Sequence, residues 1–305
     1  MDAVQISNVT KTFASVTAVD DLSLTVPEGS VYGFIGPNGS GKTTTMRLIT
    51  SIFYPDCGDI RVFGKHLLGS RSELIGYLPE ERGLYRKMAV QPMLEFYGEL
   101  RSGRKVTAEV ESWLNKLDLA KSAAQKVHTL SKGMGQKVQF IATVVPAPKL
   151  LVLDEPFSGL DPVSAEVIQS AILDLRRAGA TVILSTHDMH VAENMCDYIC
   201  MIFRGKKVLD GTLAAIQDRY GSDTIRVAAE GGTQVLEGLP DVDRVRDLGQ
   251  VQELRMAHGC DPQRVLQALV ARTRVTSFAV VRPSLQDIFI RIAGPAAEEA
   301  QHANA

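Results

Sequence analysis

Short apolar runs without polar alternation punctuate the first two thirds of the chain. Val31-Tyr-Gly-Phe-Ile35, Leu150-Leu-Val-Leu153 and Thr181-Val-Ile-Leu-Ser185 read this way, the pattern of strands buried on both faces of a parallel sheet. Between the first two, residues about 85 to 145 change period. Gln91 to Leu100 and Thr107 to Leu117 bring apolar side chains round every three to four residues, which predicts amphipathic helices. Strands alternating with helices predict an α/β domain over residues 1–220, interrupted by a helical insertion at about 85–145.

The pattern shifts near residue 221. Gly221-Ser222-Asp223 and Gly231-Gly232 are turn-rich, and beyond them short strands at about 224–229, 242–247, 251–256 and 275–281 flank a helix at about 262–271. Pro283-Ser284-Leu285-Gln286-Asp287 carries a capping-box pattern, with Ser284 as N-cap and Asp287 three residues on. Leu285, Ile288, Phe289 and Ile292 then share one helix face. Residues 221–293 are expected to form a small α+β domain, and 294–305, rich in Ala, Glu and Gln, a frayed tail.

Composition narrows the function. Of 305 residues, 45% are apolar and 22% charged, a globular balance. Thirty-three basic against 35 acidic residues leave net −2, so no nucleic-acid partner is expected. There is neither a run of about 18 apolar residues nor a basic-then-apolar leader, so any membrane role is expected to come through a partner. The four cysteines are irregularly spaced and predict no disulfide framework, which suits a reducing compartment.

Two motifs carry the chemistry. Gly36-Pro37-Asn38-Gly39-Ser40-Gly41-Lys42-Thr43 matches G-x-x-x-x-G-K-[ST] between an expected strand and an expected helix. Its glycines let successive N–H groups turn onto a polyphosphate, and the helix N-terminus favours negative charge. Lys42 is placed to reach the β and γ phosphates and Thr43 to give its hydroxyl to Mg²⁺. The second motif, Leu150-Leu-Val-Leu-Asp154-Glu155, ends an apolar strand in two carboxylates. Asp154 is expected in the metal shell and Glu155 beside an attacking water. A GTPase is the alternative, because Asn115-Lys116-Leu117-Asp118 matches a guanine-reading pattern. It sits in a helical stretch with Leu114 and Leu117 at core-type positions, and Asp218-Arg-Tyr-Gly221 follows it in the wrong order.

Further motifs follow in order: Leu130-Ser131-Lys132-Gly133-Met134, then Ser158-Gly159-Leu160-Asp161 after the carboxylates, then Ser185-Thr186-His187-Asp188. With Phe13 near the start, the chain over about residues 4–215 resembles the ATPase subunit of an ATP-binding cassette transporter. The resemblance implies a P-loop NTPase cassette that uses ATP and Mg²⁺. Gly36, Pro37, Asn38, Gly39, Ser40, Gly41, Lys42, Thr43 and Thr44 would hold the nucleotide, and Phe13 would stack on adenine. Thr43, Asp154 and Glu80 would serve the metal, Glu155 would activate water, and His187 would touch the γ-phosphate. It also implies a head-to-tail homodimer, in which Ser131 and Gly133 of one copy cover the nucleotide of the other beside Asp161.

This chain departs from the family pattern at Lys132 and Met134, where glycine and glutamine are usual, and at Glu80, where glutamine is usual. With the appended domain ending in Pro283-Ser284-Leu285-Gln286-Asp287-Ile288-Phe289, it resembles ABC-2 type cassettes such as sodium- and antibiotic-export ATPases. That implies a separate integral-membrane permease and a cytoplasmic place at the inner face of the membrane. The alternatives are a soluble cassette ATPase and a regulatory nucleotide-binding module, neither coupled to transport. His190, Cys196 and Cys200 fit no zinc spacing and are expected to pack in a helix–strand unit. His258-Gly259-Cys260 is read as a turn, and the C-terminal domain as regulatory or dimer-supporting.

Overall fold

A computed structural model describes residues 1–66, 74–81, 83–221, 224–257 and 259–302, with side chains to 294. The expectations that fall on Ser222, Asp223, His258 and residues 303–305 lie outside the described residues. The chain divides into two compact units, Met1–Thr212 and Leu213–Ala305.

The first unit opens with β1 (Asp2–Phe13) and β2 (Val16–Pro27), an antiparallel hairpin that turns at Ala14-Ser15, where Ala14 takes φ 49°. β3 (Val31–Ile35) runs through the glycine-rich loop into α1 (Lys42–Ile49). β4 (Cys57–Val62) then pairs with the other edge of β1, giving a sheet of order β2-β1-β4. The apolar pattern did not predict this sheet. Register shifts along β1 and β2 break the alternation that would have announced it.

β5 (Ile75–Leu78) leads into the helical insertion, formed by α2 (Val90–Ser102), α3 (Thr107–Lys116) and α4 (Lys132–Val144). The chain re-enters the sheet at β6 (Leu150–Asp154) and continues through α5 (Pro162–Arg177), β7 (Thr181–Thr186) and α6 (Met189–Met195) to β8 (Tyr198–Phe203) and β9 (Lys206–Gly211). The main sheet has order β5-β6-β7-β3-β8-β9, parallel except for β9. Every residue of β3, β6 and β7 is buried, as their unbroken apolar runs require. Val90, Met93, Leu94, Val110, Leu114 and Phe140 of the insertion share one apolar cluster with Leu78, Leu151 and Leu184 of the sheet. Trp113 meets Phe140 edge-on at 6.0 Å. Insertion and sheet are therefore one packed body, and a Phe140→Ala cavity would cost about 3–5 kcal/mol. Leu114 and Leu117 are core residues, as expected against the guanine-reading alternative.

The second unit begins with α7 (Leu213–Tyr220), ahead of the expected junction after residue 220. Side chains explain the difference. Gln217 donates to the Pro283 carbonyl at 3.1 Å, Asp218 pairs with Arg282 at 3.2 Å, and Arg291 donates to the Tyr220 carbonyl at 3.2 Å. β10 (Thr224–Ala229), β11 (Val242–Asp247), β12 (Gln252–Met256), α8 (Pro262–Val270), β13 (Val275–Val281) and α9 (Leu285–His302) complete it. The sheet is antiparallel, of order β11-β12-β10-β13, and Val265 and Leu269 of α8 pack on Ile225, Val227 and Leu254. The capping box forms: the Asp287 amide donates to Ser284 Oγ at 3.1 Å, and the Ser284 amide donates back to Asp287 Oδ2 at 3.1 Å. α9 runs to His302.

Candidate active site

The site lies at the carboxyl ends of β3, β6 and β7, where a crevice forms in an open α/β sheet. α1 starts without a side-chain cap. Its N-cap, Gly41, takes φ 110°, and a Cβ there would stand 2.4 Å from the Ala18 carbonyl oxygen. A Cβ on Gly36 would stand 2.2 Å from the Ile202 carbonyl oxygen. The loop is thus pressed against β2 and β8, and only glycine allows that approach. The Gly205 amide donates to the Ser40 carbonyl at 2.9 Å and braces the loop from the β8–β9 turn. Lys42 is buried and donates through Nζ to the carbonyls of Gly36 (2.7 Å) and Pro37 (3.0 Å). Burial pulls its ammonium below the ordinary lysine range, and the nearby carboxylates of Glu155, Asp154 and Glu80 oppose that shift. One cation and three carboxylates from distant parts of the chain therefore meet at one place.

β6 and β7 pair so that Asp154 faces Ser185. Ser185 Oγ donates to Asp154 Oδ1 at 2.6 Å and accepts from the Glu155 amide at 2.9 Å. The serine fixes both acidic residues, a role the sequence pattern did not reveal. Asp154 is fully buried, and its Oδ2 hydrogen-bonds to nothing. A buried, unpaired carboxylate oxygen is costly and suits a hard cation shell, so Asp154 fits Mg²⁺. Glu155 takes φ 48°, uncommon for a residue with a Cβ, as the chain turns off the strand. Its carboxylate oxygens lie 3.0 and 3.1 Å from His187 Nδ1. The glutamate side chain is 11% exposed and the histidine 63%, so a sheltered carboxylate is held by a ring that faces solvent.

The Glu80 segment joins from the side. Gln139 of α4 donates through Nε2 to the carbonyls on either side of Glu80, at 3.0 Å to Pro79 and 3.3 Å to Glu81. Gln136, one turn earlier, donates to the Pro156 carbonyl at 3.1 Å. α4 thereby ties down both acidic segments. The open cavity between these parts is about 580 Å³, within the usual range for a ligand of nucleotide size. Asn38, Gly39, Ser40, Gly41, Lys42, Thr43 and Thr44 line it with Glu80 and Glu155. Val16, Thr17, Ala18, Arg204 and Gly205 line it too and had not been singled out. They reach it only through the β1–β2 and β8–β9 turns.

Known proteins share this organisation. Residues 19–158 match the family described as ABC transporter, and residues 211–293 the family described as ATP-binding protein DrrA1-3-like, C-terminal domain. The ABC transporter ATP-binding protein YhaQ of Bacillus subtilis (strain 168) is 36% identical over 95% of this chain and 98% of its own length. The chain belongs to the ATP-binding proteins of ABC transporters. The Nod factor export ATP-binding protein I of Rhizobium sp. (strain N33) is 34% identical over 96% of this chain and 97% of its own. Among solved structures, an ATP-binding subunit of an ABC transporter superposes with TM-score 0.67 at 26% identity, covering 72% of this chain and 93% of that one. A nucleotide-free ATP-binding cassette gives 0.63 at 25%, covering 70% and 92%.

In this ABC ATP-binding subunit the remaining expected residues lie apart from the cavity lining. Ser131 caps α4 and accepts from the Met134 amide at 3.2 Å. It is exposed, and Gly133 sits two residues on, beside Leu160. A Cβ on Gly159 would stand 2.3 Å from Lys132 Cε, so the lysine stem crosses the Ser158–Asp161 turn. Lysine in place of the family's glycine is accommodated by glycine opposite it. Asp161 caps α5, accepting from the Ser164 amide at 2.9 Å, and that bond holds its carboxyl below the usual range. Phe13 is 41% exposed and meets Phe53 edge-on at 5.2 Å. Cys200 is buried in β8, and burial lifts the Cys196 thiol to about 12.

Proposed function

We propose that this chain hydrolyses ATP and drives export through a separate membrane permease. The observation that carries hydrolysis is the Glu155 carboxylate, nearly buried, strained at its backbone and held by His187 beside the phosphate loop. In that position Glu155 orients the attacking water and takes its proton. His187 donates through Nδ1 to the carboxylate and, in its doubly protonated form, through Nε2 to the γ-phosphate. Lys42 exchanges its loop carbonyls for phosphate oxygens, and the α1 amides complete the cradle. Thr43, Asp154 and Glu80 would hold Mg²⁺, which would supply charge neutralisation for the polyphosphate. This is catalysis by position and charge.

Export is supported by the DrrA-like domain and by the Nod factor export relative. A separate permease is supported by two observations. Among the described residues no helix is long and apolar enough to cross a membrane. Beside the Glu80 segment, Tyr85, Phe96 and Leu100 are exposed, with Tyr85 stacked on Tyr97 at 5.6 Å. An apolar patch rimmed by polar residues suits a partner helix, and the Gln139 tether would carry a change at Glu80 into α4. The subunit would then sit on the cytoplasmic face of the membrane as a homodimer, each exposed α4 N-terminus covering the other copy's nucleotide. The C-terminal unit would regulate or support that dimer.

The test is turnover. Purified protein should hydrolyse ATP with Mg²⁺, and Glu155→Gln should lower the rate roughly 10²–10⁴-fold, the usual worth of a general base, while ATP still binds. With ATP the variant should run as a dimer in gel filtration. Near-normal hydrolysis by Glu155→Gln would reject this assignment. The regulatory role is tested by truncation after Thr212, since α7 belongs with the second unit. ATP binding should persist, with weaker dimerisation or coupling.

A further inference from the structure

The second unit gathers arginine on the sheet face opposite α8. In the antiparallel register Arg244 of β11 stands directly opposite Arg255 of β12, and Arg255 stands opposite Thr224 of β10. Two residues along, on the same face, Arg246 stands opposite Glu253, which stands opposite Arg226. Asp287, Ile290 and Arg291 of α9 close the space into a cleft of about 80 Å³. Arginine facing arginine across a strand pair works against the sheet, so its presence calls for a compensating charge.

The cleft's own carboxylates are already engaged. Glu253 Oε2 lies 3.4 Å from Arg226 Nε. Asp287 Oδ2 accepts the amide and hydroxyl of Ser284 at 3.1 and 2.5 Å, and its Oδ1 lies 3.6 Å from Arg246. Arg291 is held at the cleft by two neutral acceptors, the Tyr220 carbonyl at 3.2 Å and Thr224 Oγ1 at 3.5 Å. These bonds orient its guanidinium at the cleft.

We propose that this cleft binds a phosphate-bearing anion, separately from the ATP site. Guanidinium forks recognise phosphate oxygens in pairs. A space of about 80 Å³ admits one phosphoryl group rather than a nucleotide, which takes a cavity like the 580 Å³ one in the first unit. The group could be a lipid headgroup or a small soluble phosphate; the chemistry is shared.

The test uses the full chain carrying Lys42→Ala, which weakens the phosphate loop's contribution, and reads only the change caused by substitutions in the cleft. One arm titrates inorganic phosphate by calorimetry. The other floats the protein with phosphatidylglycerol vesicles against phosphatidylcholine vesicles. The double variant Arg244→Gln/Arg255→Gln should lose at least tenfold in affinity in the arm that binds. Arg244→Lys/Arg255→Lys should recover only part, since lysine lacks the fork. Loss in the first arm identifies a soluble phosphate, and loss in the second a headgroup. Should the double variant fail to fold by circular dichroism, Arg244→Gln alone, on the exposed edge strand, carries the test. Binding that is absent in both arms, or unchanged by these substitutions, overturns the proposal.

Discussion

The N-termini of α1 and α4 are built from the same device and finished differently. α1 begins at a glycine in a left-handed conformation, has no side-chain cap, and buries the lysine that follows. Its first amides are left for a ligand. α4 begins at Ser131, whose hydroxyl accepts from one of those amides, and the lysine that follows is exposed. Glu80, Asp154 and Glu155 act on the lysine of the first, and the second stands exposed. A helix end becomes a catalytic pocket only where the rest of the fold delivers opposing chemistry to it. On our reading the second end receives that chemistry from another copy of the chain.

The largest effect that could break this contrast is at Lys42. Lys42→Ala should weaken ATP binding roughly 10- to 100-fold, the worth of about 1.5–3 kcal/mol for hydrogen bonds to a charged group. Equilibrium binding of a fluorescent ATP analogue measures it, and unchanged affinity would make the loop a mere turn. At Glu80 the two ends are linked through Gln139, so the substitutions should separate. Glu80→Gln keeps a carbonyl oxygen and should hydrolyse ATP within about threefold of wild type, whereas Glu80→Ala should lose about tenfold with ATP affinity retained, as expected for one ligand of a metal shell. Steady-state turnover over a range of Mg²⁺ concentrations distinguishes them, and equal rates would leave Glu80 as surface. The smallest effect is at Ser131. Ser131→Ala removes a cap worth about 1 kcal/mol and should lower the melting temperature by a few degrees. It should leave ATP affinity of the dilute protein unchanged while slowing hydrolysis at concentrations that permit dimers. A loss of affinity in dilute protein would place Ser131 at its own copy's nucleotide and erase the contrast.

Much of the site was legible because its parts are local. A phosphate loop needs glycines and a lysine at fixed offsets within one strand–turn–helix, and a carboxylate pair at the end of an apolar run needs only that run. The same holds for β3, β6 and β7, whose burial on both faces leaves no polar position to confuse the pattern. Ser185 was not legible, because its role depends on which residue of β7 stands opposite Asp154. Gln139 was not legible either. Only the packing of α4 against the chain beyond β5 brings its amide between Pro79 and Glu81.

What the sequence determined by itself is therefore the set of groups bound by short-range geometry: the loop from Gly36 to Thr44, the pair Asp154 and Glu155, the two-unit organisation and the cap at Ser284; His187 was legible only through the family resemblance, and its meeting with Glu155 is long-range. Tertiary structure alone decided the placing of groups whose partners are far along the chain. It set Val16–Ala18 and Arg204-Gly205 against the phosphate loop, Ser185 between the two acids, α7 with the second unit, and Arg244 opposite Arg255. The physical reason is that register and hairpin placement depend on how apolar faces pack across the whole unit. No single stretch of sequence carries that information.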